Sequence, residues 1–308
     1  MKALVTKVVG KHYTVRFENG KTLNCFIKGK FRLDDNKSTS PVVVGDWVEV
    51  EPINEDSGII TFIYERKNFV VRKSVNLSKQ FHIIAANIDK SYLVVTLILP
   101  ETNYEFIDRF LATCEAYRVE AALILNKCDL YDDIPDLVEE FEQIYNLAGY
   151  KIFKVSALTG KGINELKEEL KNKINLFSGN SGVGKSSLIN KIQPGLNIKV
   201  QEISYAHFKG KHTTTFSQMY ELTEGGFIID TPGIKGFSFI NIKKEELFHF
   251  FPEILKKTSE CKYYNCTHIH EPDCAVRKAV ETGEIHPIRY RNYLSMFFDN
   301  EEKHRPPF

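Results

Sequence analysis

The sequence predicts a multidomain chain, with a small N-terminal β-barrel over residues 1–68, a central α/β domain over 69–240 and a mostly α C-terminal segment over 241–308. Three observations carry this. Residues 1–66 read as short strands between turns. The residues from 69 onward alternate apolar strands with amphipathic helices. The last stretch is helical in pattern around three cysteines that lie within fourteen residues.

In the first segment the strands are ALVTKVVG, HYTVRF, TLNCFIKG, VVVGDWVEV and GIITFIYE. Asn19-Gly20 marks a hairpin turn, where both residues accept the backbone angles that a tight turn imposes. So many strands in so short a segment suggest a barrel of the oligonucleotide-binding kind. Residues 1–33 carry eight Lys/Arg against one acid, Glu18, although the whole chain has a net charge of only +1. That local excess favours a polyanion such as RNA as partner.

The chain is 43% hydrophobic and 26% charged, the composition of a globular protein. Its longest apolar stretch, Tyr92 to Leu99, is too short to cross a bilayer, and Lys7 interrupts any signal-peptide core. A cytoplasmic protein with no membrane partner is expected, acting as a monomer. In a reducing compartment clustered cysteines suggest a metal before a disulfide.

In the central segment SYLVVTLIL, EAALILN and KIFKVSA read as strands of a parallel sheet. EFIDRFLATCEAY has the helical spacing Phe106, Phe110, Leu111, Cys114, and GINELKEELKNKI places Ile163, Leu166, Leu170 and Ile174 on one helix face.

Chemistry enters with GNSGVGKSS, in which Gly179, Asn180, Ser181, Gly182, Val183, Gly184, Lys185 and Ser186 fit a phosphate loop and Ser187 comes next. Its glycines let backbone N–H groups turn inward around phosphates. Lys185 brings positive charge to the β and γ groups, Ser186 brings a hydroxyl for Mg²⁺, and the helix KSSLINKI aims its N-terminus at the anion. Downstream, Asp230-Thr231-Pro232-Gly233 closes the strand GGFIID, which suits an aspartate that holds Mg²⁺ through water and a glycine N–H that meets the γ-phosphate. Between them GKHTTT offers Thr213 and Thr214 as switch hydroxyls on Mg²⁺.

Base recognition belongs to Asn126-Lys127-Cys128-Asp129. Asp129 can accept from both N1–H and the 2-amino group of guanine, Asn126 can reach the 6-oxo side, and Lys127 packs along the ring. Adenine would leave a buried acceptor unpaired, so GTP is preferred to ATP. Ser156-Ala157-Leu158 supplies the contact from the other side of the base. The order is base motif, SAL, phosphate loop, HTT, DTPG, a rotation of the usual GTPase order, so the central domain is a circularly permuted GTPase.

Beyond it lies Cys261-x4-Cys266-x-His268-x5-Cys274. Three thiolates and an imidazole suit one tetrahedral Zn²⁺ per chain, and four protein ligands make the site structural. His270 competes with His268 at the wrong spacing.

Together these residues resemble the ribosome small-subunit-dependent GTPase A family of bacteria. The resemblance covers nearly the whole chain and includes AANIDK at 85–90. It implies a factor in late maturation of the small subunit, bound to 16S rRNA and hydrolysing GTP to GDP on that particle. Ile234 stands where many GTPases have a catalytic glutamine, and His212 is similar to the family's proposed substitute. The alternative is an RNA-binding assembly module in which GTP only sets conformation.

Overall fold

The computed structural model describes residues 1–27, 41–73, 81–198, 218–231 and 242–299. Strands β1 (Lys2–Val9), β2 (His12–Arg16), β3 (Thr22–Ile27), β4 (Trp47–Pro52) and β5 (Ser57–Ile63) run in the order β1-β2-β3-β5-β4, and a β1–β4 pairing closes the barrel. Alternate residues, among them Val5, Tyr13, Val15, Leu23, Cys25, Val48, Val50 and Ile60, fill the interior. This is the period of two that a half-buried strand requires. Val42–Val44, expected to begin the fourth strand, instead form a buried turn. The Asp46 carboxylate accepts from Val43 N at 2.8 Å and is held by Arg66 at 2.6 Å.

An antiparallel pair, β6 (Phe69–Lys73) and β7 (Phe81–Ala86), precedes the parallel sheet. The periodicity from 69 onward suggested only the parallel sheet. The pair couples the barrel to the central domain, since Ala86 N donates to Val44 O at 3.0 Å and Asn87 Nδ2 to Gly45 O at 2.9 Å. Gly45 has φ +92°, and a Cβ there would lie 2.0 Å from Ala86 O, so only glycine allows this approach. The AANIDK segment is the clasp. Asn87 Oδ1 accepts from Lys67 N, Asp89 Oδ2 accepts from Ile174 N, and Ile88 is bracketed by Asn68.

The parallel sheet has the order β10-β9-β8-β11-β13, from β8 (Lys90–Val95), β9 (Glu120–Leu125), β10 (Lys151–Lys154), β11 (Ile174–Gly179) and β13 (Phe227–Asp230), with β12 (Gln218–Glu221) antiparallel at its edge. Helices α1 (Tyr104–Ala116) and α2 (Pro135–Leu147) pack on Leu93, Val95, Leu123, Leu125, Leu176 and Ile229. On the opposite face α3 (Ile163–Leu170) and α4 (Lys185–Ile192) pack on Tyr92, Val94, Ile124, Phe153 and Phe177. Both faces of these strands are buried, which is why they read as continuous apolar runs.

Two boundaries differ from the periodicity. Ile174 opens β11 and is not on the helix, because Asn172 takes φ +56° and ends the helical path after Leu170. The strand expected through Leu99 stops at Val95, where Thr96 N turns to Thr102 Oγ1 at 3.1 Å and Leu97 N to the Tyr131 hydroxyl at 3.1 Å.

The barrel joins the central sheet through Lys7↔Gln218 and the Arg16–Glu221 ion pair, and Leu4 and Val44 lie in the same apolar cluster as α1 and α2. After a 3-10 turn at Lys244–Phe250, helices α5 (Pro252–Thr258), α6 (Ala275–Glu281) and α7 (Pro287–Phe298) form the C-terminal unit. It docks on α1 through Arg289, which is 1% exposed and binds Asp108 at 2.7 Å and Glu253 at 2.7 Å. Among the described residues no helix is long and apolar enough to cross a membrane.

Candidate nucleotide site and metal cluster

The C-terminal ends of β8, β9 and β11 bring the base motif and the phosphate loop to one edge of the sheet, where open α/β sheets bind ligands. Asn126 is 1% exposed and sits at their junction. Its Nδ2 donates to Val183 O in the phosphate loop at 2.8 Å, and its Oδ1 accepts from Ala157 N in the SAL segment at 3.1 Å. One side chain thus fastens three motifs that lie far apart in the chain. The amide expected to face the 6-oxo side of guanine keeps one N–H beyond these bonds. Gly184, with φ +85°, makes room for it, since a Cβ there would lie 2.6 Å from Asn126 Nδ2.

Lys127 adopts φ +64°, and its ammonium donates to Leu99 O. Burial lowers its pKa. Cys128 is buried, which raises its thiol, and its N–H donates to Val155 O at 3.1 Å. Asp129 is the middle residue of the short 3-10 turn Cys128–Leu130, and its Oδ1 is buried with no hydrogen-bond partner among the described residues. An unpaired buried carboxylate oxygen is costly, and a ligand N–H is what would satisfy it. Ser156 Oγ accepts from Thr159 N at 3.0 Å and shapes the SAL turn, leaving Leu158 80% exposed at the rim.

In the phosphate loop Val183 is the buried anchor, Ser181 is exposed, and Asn180 and Gly182 are half-buried. Ser186 and Ser187 lie in the first turn of α4, behind Lys185. The Lys185 ammonium contacts Asp230 Oδ1 and donates to Thr231 O at 2.5 Å. Asp230 is fully buried at the end of β13, and its Oδ2 has no partner among the described residues. This free acceptor, on the carboxylate whose other oxygen the lysine holds, fits a water-coordinated divalent cation. His212, Thr213, Thr214 and Gly233, with Ile234, lie outside the described residues.

Cys261, Cys266, His268 and Cys274 converge with their donor atoms within 4.8 Å of one another. His268 Nδ1 is 3.6 Å from Cys261 Sγ and 3.5 Å from Cys274 Sγ, and those two sulfurs are 4.0 Å apart. A tetrahedron with zinc bond lengths has S–S edges of about 3.8 Å and N–S edges of about 3.6 Å, so the cluster is at coordinating size. The tautomer follows from the bonds around it. Thr258 Oγ1 gives its hydrogen to Ile254 O at 2.9 Å, so at 3.0 Å it accepts from His268 Nε2–H, leaving the Nδ1 lone pair directed at the thiols. Burial raises the Cys266 and Cys274 thiols and lowers His268. The loop is clamped by Tyr290 and Tyr293, whose hydroxyls donate to His268 O at 2.6 Å and Thr267 O at 2.7 Å. His270 is exposed and outside the cluster.

Spacing did not reveal Tyr131, Thr258 or the 96–102 loop, because each acts through a tertiary contact without a motif. The sequence also offers Lys262, Arg277, Lys278, Arg289 and Arg291 as a second set of rRNA contacts beyond the zinc. For Arg289 the structure overturns that reading, since the guanidinium is enclosed by two carboxylates and stacked 4.8 Å from Phe251.

A parallel sheet in which the base motif precedes the phosphate loop, behind a closed five-stranded barrel, defines a circularly permuted GTPase with an oligonucleotide-binding-type domain. Residues 63–240 match the RsgA GTPase family and residues 2–60 the RsgA N-terminal domain. The chain belongs to the RsgA GTPase family. It is 53% identical to the small ribosomal subunit biogenesis GTPase RsgA of Bacteroides fragilis over 98% of both chains. Among solved structures it resembles YjeQ from Thermotoga maritima, with 39% identity, a TM-score of 0.79 and 99% of both chains covered. It also resembles YloQ, a circularly permuted GTPase, with 27% identity, a TM-score of 0.76, and 100% and 96% covered.

Proposed function

We propose that this chain is a cytoplasmic, monomeric GTPase that binds the small ribosomal subunit late in its maturation and hydrolyses GTP to GDP and phosphate under stimulation by that particle. The observation that carries the nucleotide assignment is the Asn126 junction beside the unpartnered oxygen of Asp129. Asp129 reads N1–H and the 2-amino group of guanine, Lys127 covers one face of the ring, and Ser156, Ala157 and Leu158 close the other side. Gly179 to Gly184 wrap the phosphates, while Lys185 leaves Asp230 to neutralise them. Mg²⁺, held by Ser186 and through water by Asp230, would offset charge on the β and γ groups. Thr213 or Thr214, Gly233 and His212 belong to the switch that senses the γ-phosphate.

The metal of the C-terminal cluster is zinc, one per chain, supported by the set of three sulfur donors and one nitrogen and by its size. The relatives' printed name supports the small subunit as partner. Lys2, Lys7 and Lys11 are exposed on the barrel and suit 16S rRNA phosphates, whereas Arg16 is paired with Glu221.

Single-turnover GTP hydrolysis with and without purified small subunits tests this. Stimulation supports the enzyme, while unchanged turnover despite GTP-dependent binding favours an assembly module in which GTP is only a conformational ligand. Lys2, Lys7 and Lys11 are best probed as alanine variants, because Leu4 and Val44 share a core with α1 and a barrel deletion would expose it.

A further inference from the structure

The base motif is held from a direction that neither its own spacing nor the phosphate loop explains. Tyr131, 6% exposed and two residues beyond Asp129, places its hydroxyl between two backbone groups. It donates to Asn126 O at 2.5 Å and accepts from Leu97 N at 3.1 Å. Asn126 O belongs to the peptide that leads into Lys127, the residue with φ +64°. Leu97 begins the loop that carries Leu99, whose carbonyl receives the Lys127 ammonium. Two links therefore clasp the motif to the 96–102 loop, a hydroxyl bridge at the backbone and a hydrogen bond at the lysine tip. The loop is internally fixed as well, since Thr96 N donates to Thr102 Oγ1 at 3.1 Å and Thr102 N to Thr96 O at 2.9 Å.

We propose that Tyr131 is a positioning residue for guanine recognition. Its hydroxyl sets the Asn126–Lys127 peptide and the 96–102 loop against each other, so that Lys127 lies along the base and Asp129 meets the base edge. Phenylalanine would keep the ring in the core but leave Asn126 O and Leu97 N, both inside the protein, without that partner. The chain would then relax around the αL residue, and Asp129 would lose its alignment. Hydrogen bonds to a carboxylate are steep in angle, so the contacts to N1–H and to the 2-amino group both weaken, and the second is the one that inosine isolates. The proposal rests on the base-site reading and adds the residue that orients it.

The experiment compares equilibrium affinities of the full chain for GDP, inosine diphosphate and ADP. Inosine keeps N1–H and lacks only the 2-amino group, so the GDP-to-inosine diphosphate ratio reports the Asp129 contact to that group, and ADP reports the phosphate contribution. The wild-type ratio is expected to be about tenfold or more, the size of one hydrogen bond to a charged group. Tyr131→Phe should narrow it by about fivefold while leaving ADP affinity unchanged. Tyr92→Phe serves as the control, because it also deletes a buried hydroxyl, one with no partner among the described residues, and should leave the ratio intact. Thr102→Val loosens the loop from its other end and should narrow the ratio in the same direction, which keeps the test open if Tyr131→Phe does not fold. A wild-type ratio in folded Tyr131→Phe, or in Thr102→Val if that variant alone folds, overturns the proposal. A wild-type protein that binds ADP as well as GDP would instead remove the base-site reading itself, and this proposal with it.

Discussion

Asn126 reaches across the top of the sheet to Val183, 57 residues downstream, and holds its carbonyl at 2.8 Å. The base motif and the phosphate loop are therefore one mechanical unit, although the permuted chain reaches the first of them long before the second. Asn126→Ala would leave Val183 O and Ala157 N without this partner, at a cost of about 1–3 kcal/mol for a buried group. The expected outcome is a GDP affinity at least tenfold weaker, with a modest fall in melting temperature. Calorimetric titration with GDP checks it, and wild-type affinity would show that the junction is dispensable.

Asp129→Asn exchanges one acceptor for a donor that matches the 2-oxo group of xanthine. GTP turnover should fall by about tenfold or more, with xanthosine triphosphate accepted in its place. Unchanged preference for GTP would show that the orphan oxygen of Asp129 faces something other than the base.

Lys185→Ala leaves fully buried Asp230 without its cation and removes the charge that the proposed function assigns to the phosphates. Hydrolysis should drop by about two orders of magnitude, the scale of one electrostatic contact to a transferring phosphoryl group. Ser186→Ala should cost less at saturating Mg²⁺ and more as Mg²⁺ is lowered. A Mg²⁺ dependence identical to wild type would dissociate Ser186 from the metal.

Metal removal should loosen the C-terminal unit first, because binding energy there is also folding energy. Chelation is expected to expose the 261–274 loop to protease while GDP binding persists. Cys261→Ser or Cys274→Ser should lower metal content below one ion per chain, read by elemental analysis. A full complement in either variant would point to other ligands.

Arg289→Met strands Asp108 and Glu253, both buried, on either side of a helix interface. Removing one partner of a buried ion pair costs about 3–5 kcal/mol, so chemical denaturation should show a large loss of stability. If Arg289 contacted RNA instead, stability would hold and subunit binding would weaken.

The motifs and their permuted order were legible in the residues alone. Glycines at fixed spacing, a lysine and serine at the loop's end, Asn126 and Asp129 around a lysine, and three cysteines with a histidine are local patterns, because each ligand needs particular atoms from neighbouring residues. The strands and helices could be read where a face is buried uniformly, as in α4 at Lys185–Ile192. How those pieces join was settled by the folded chain. Asn172 ended a helix whose apolar spacing ran on to Ile174, through backbone angles that periodicity does not encode. Arg289 turned from an expected surface charge into the core of a helix interface, because Asp108 and Glu253 reach it from 181 and 36 residues away. Tyr131 gained its place for the same reason: a hydroxyl between Asn126 O and Leu97 N is a contact between chain segments, and such a contact leaves no spacing in the sequence.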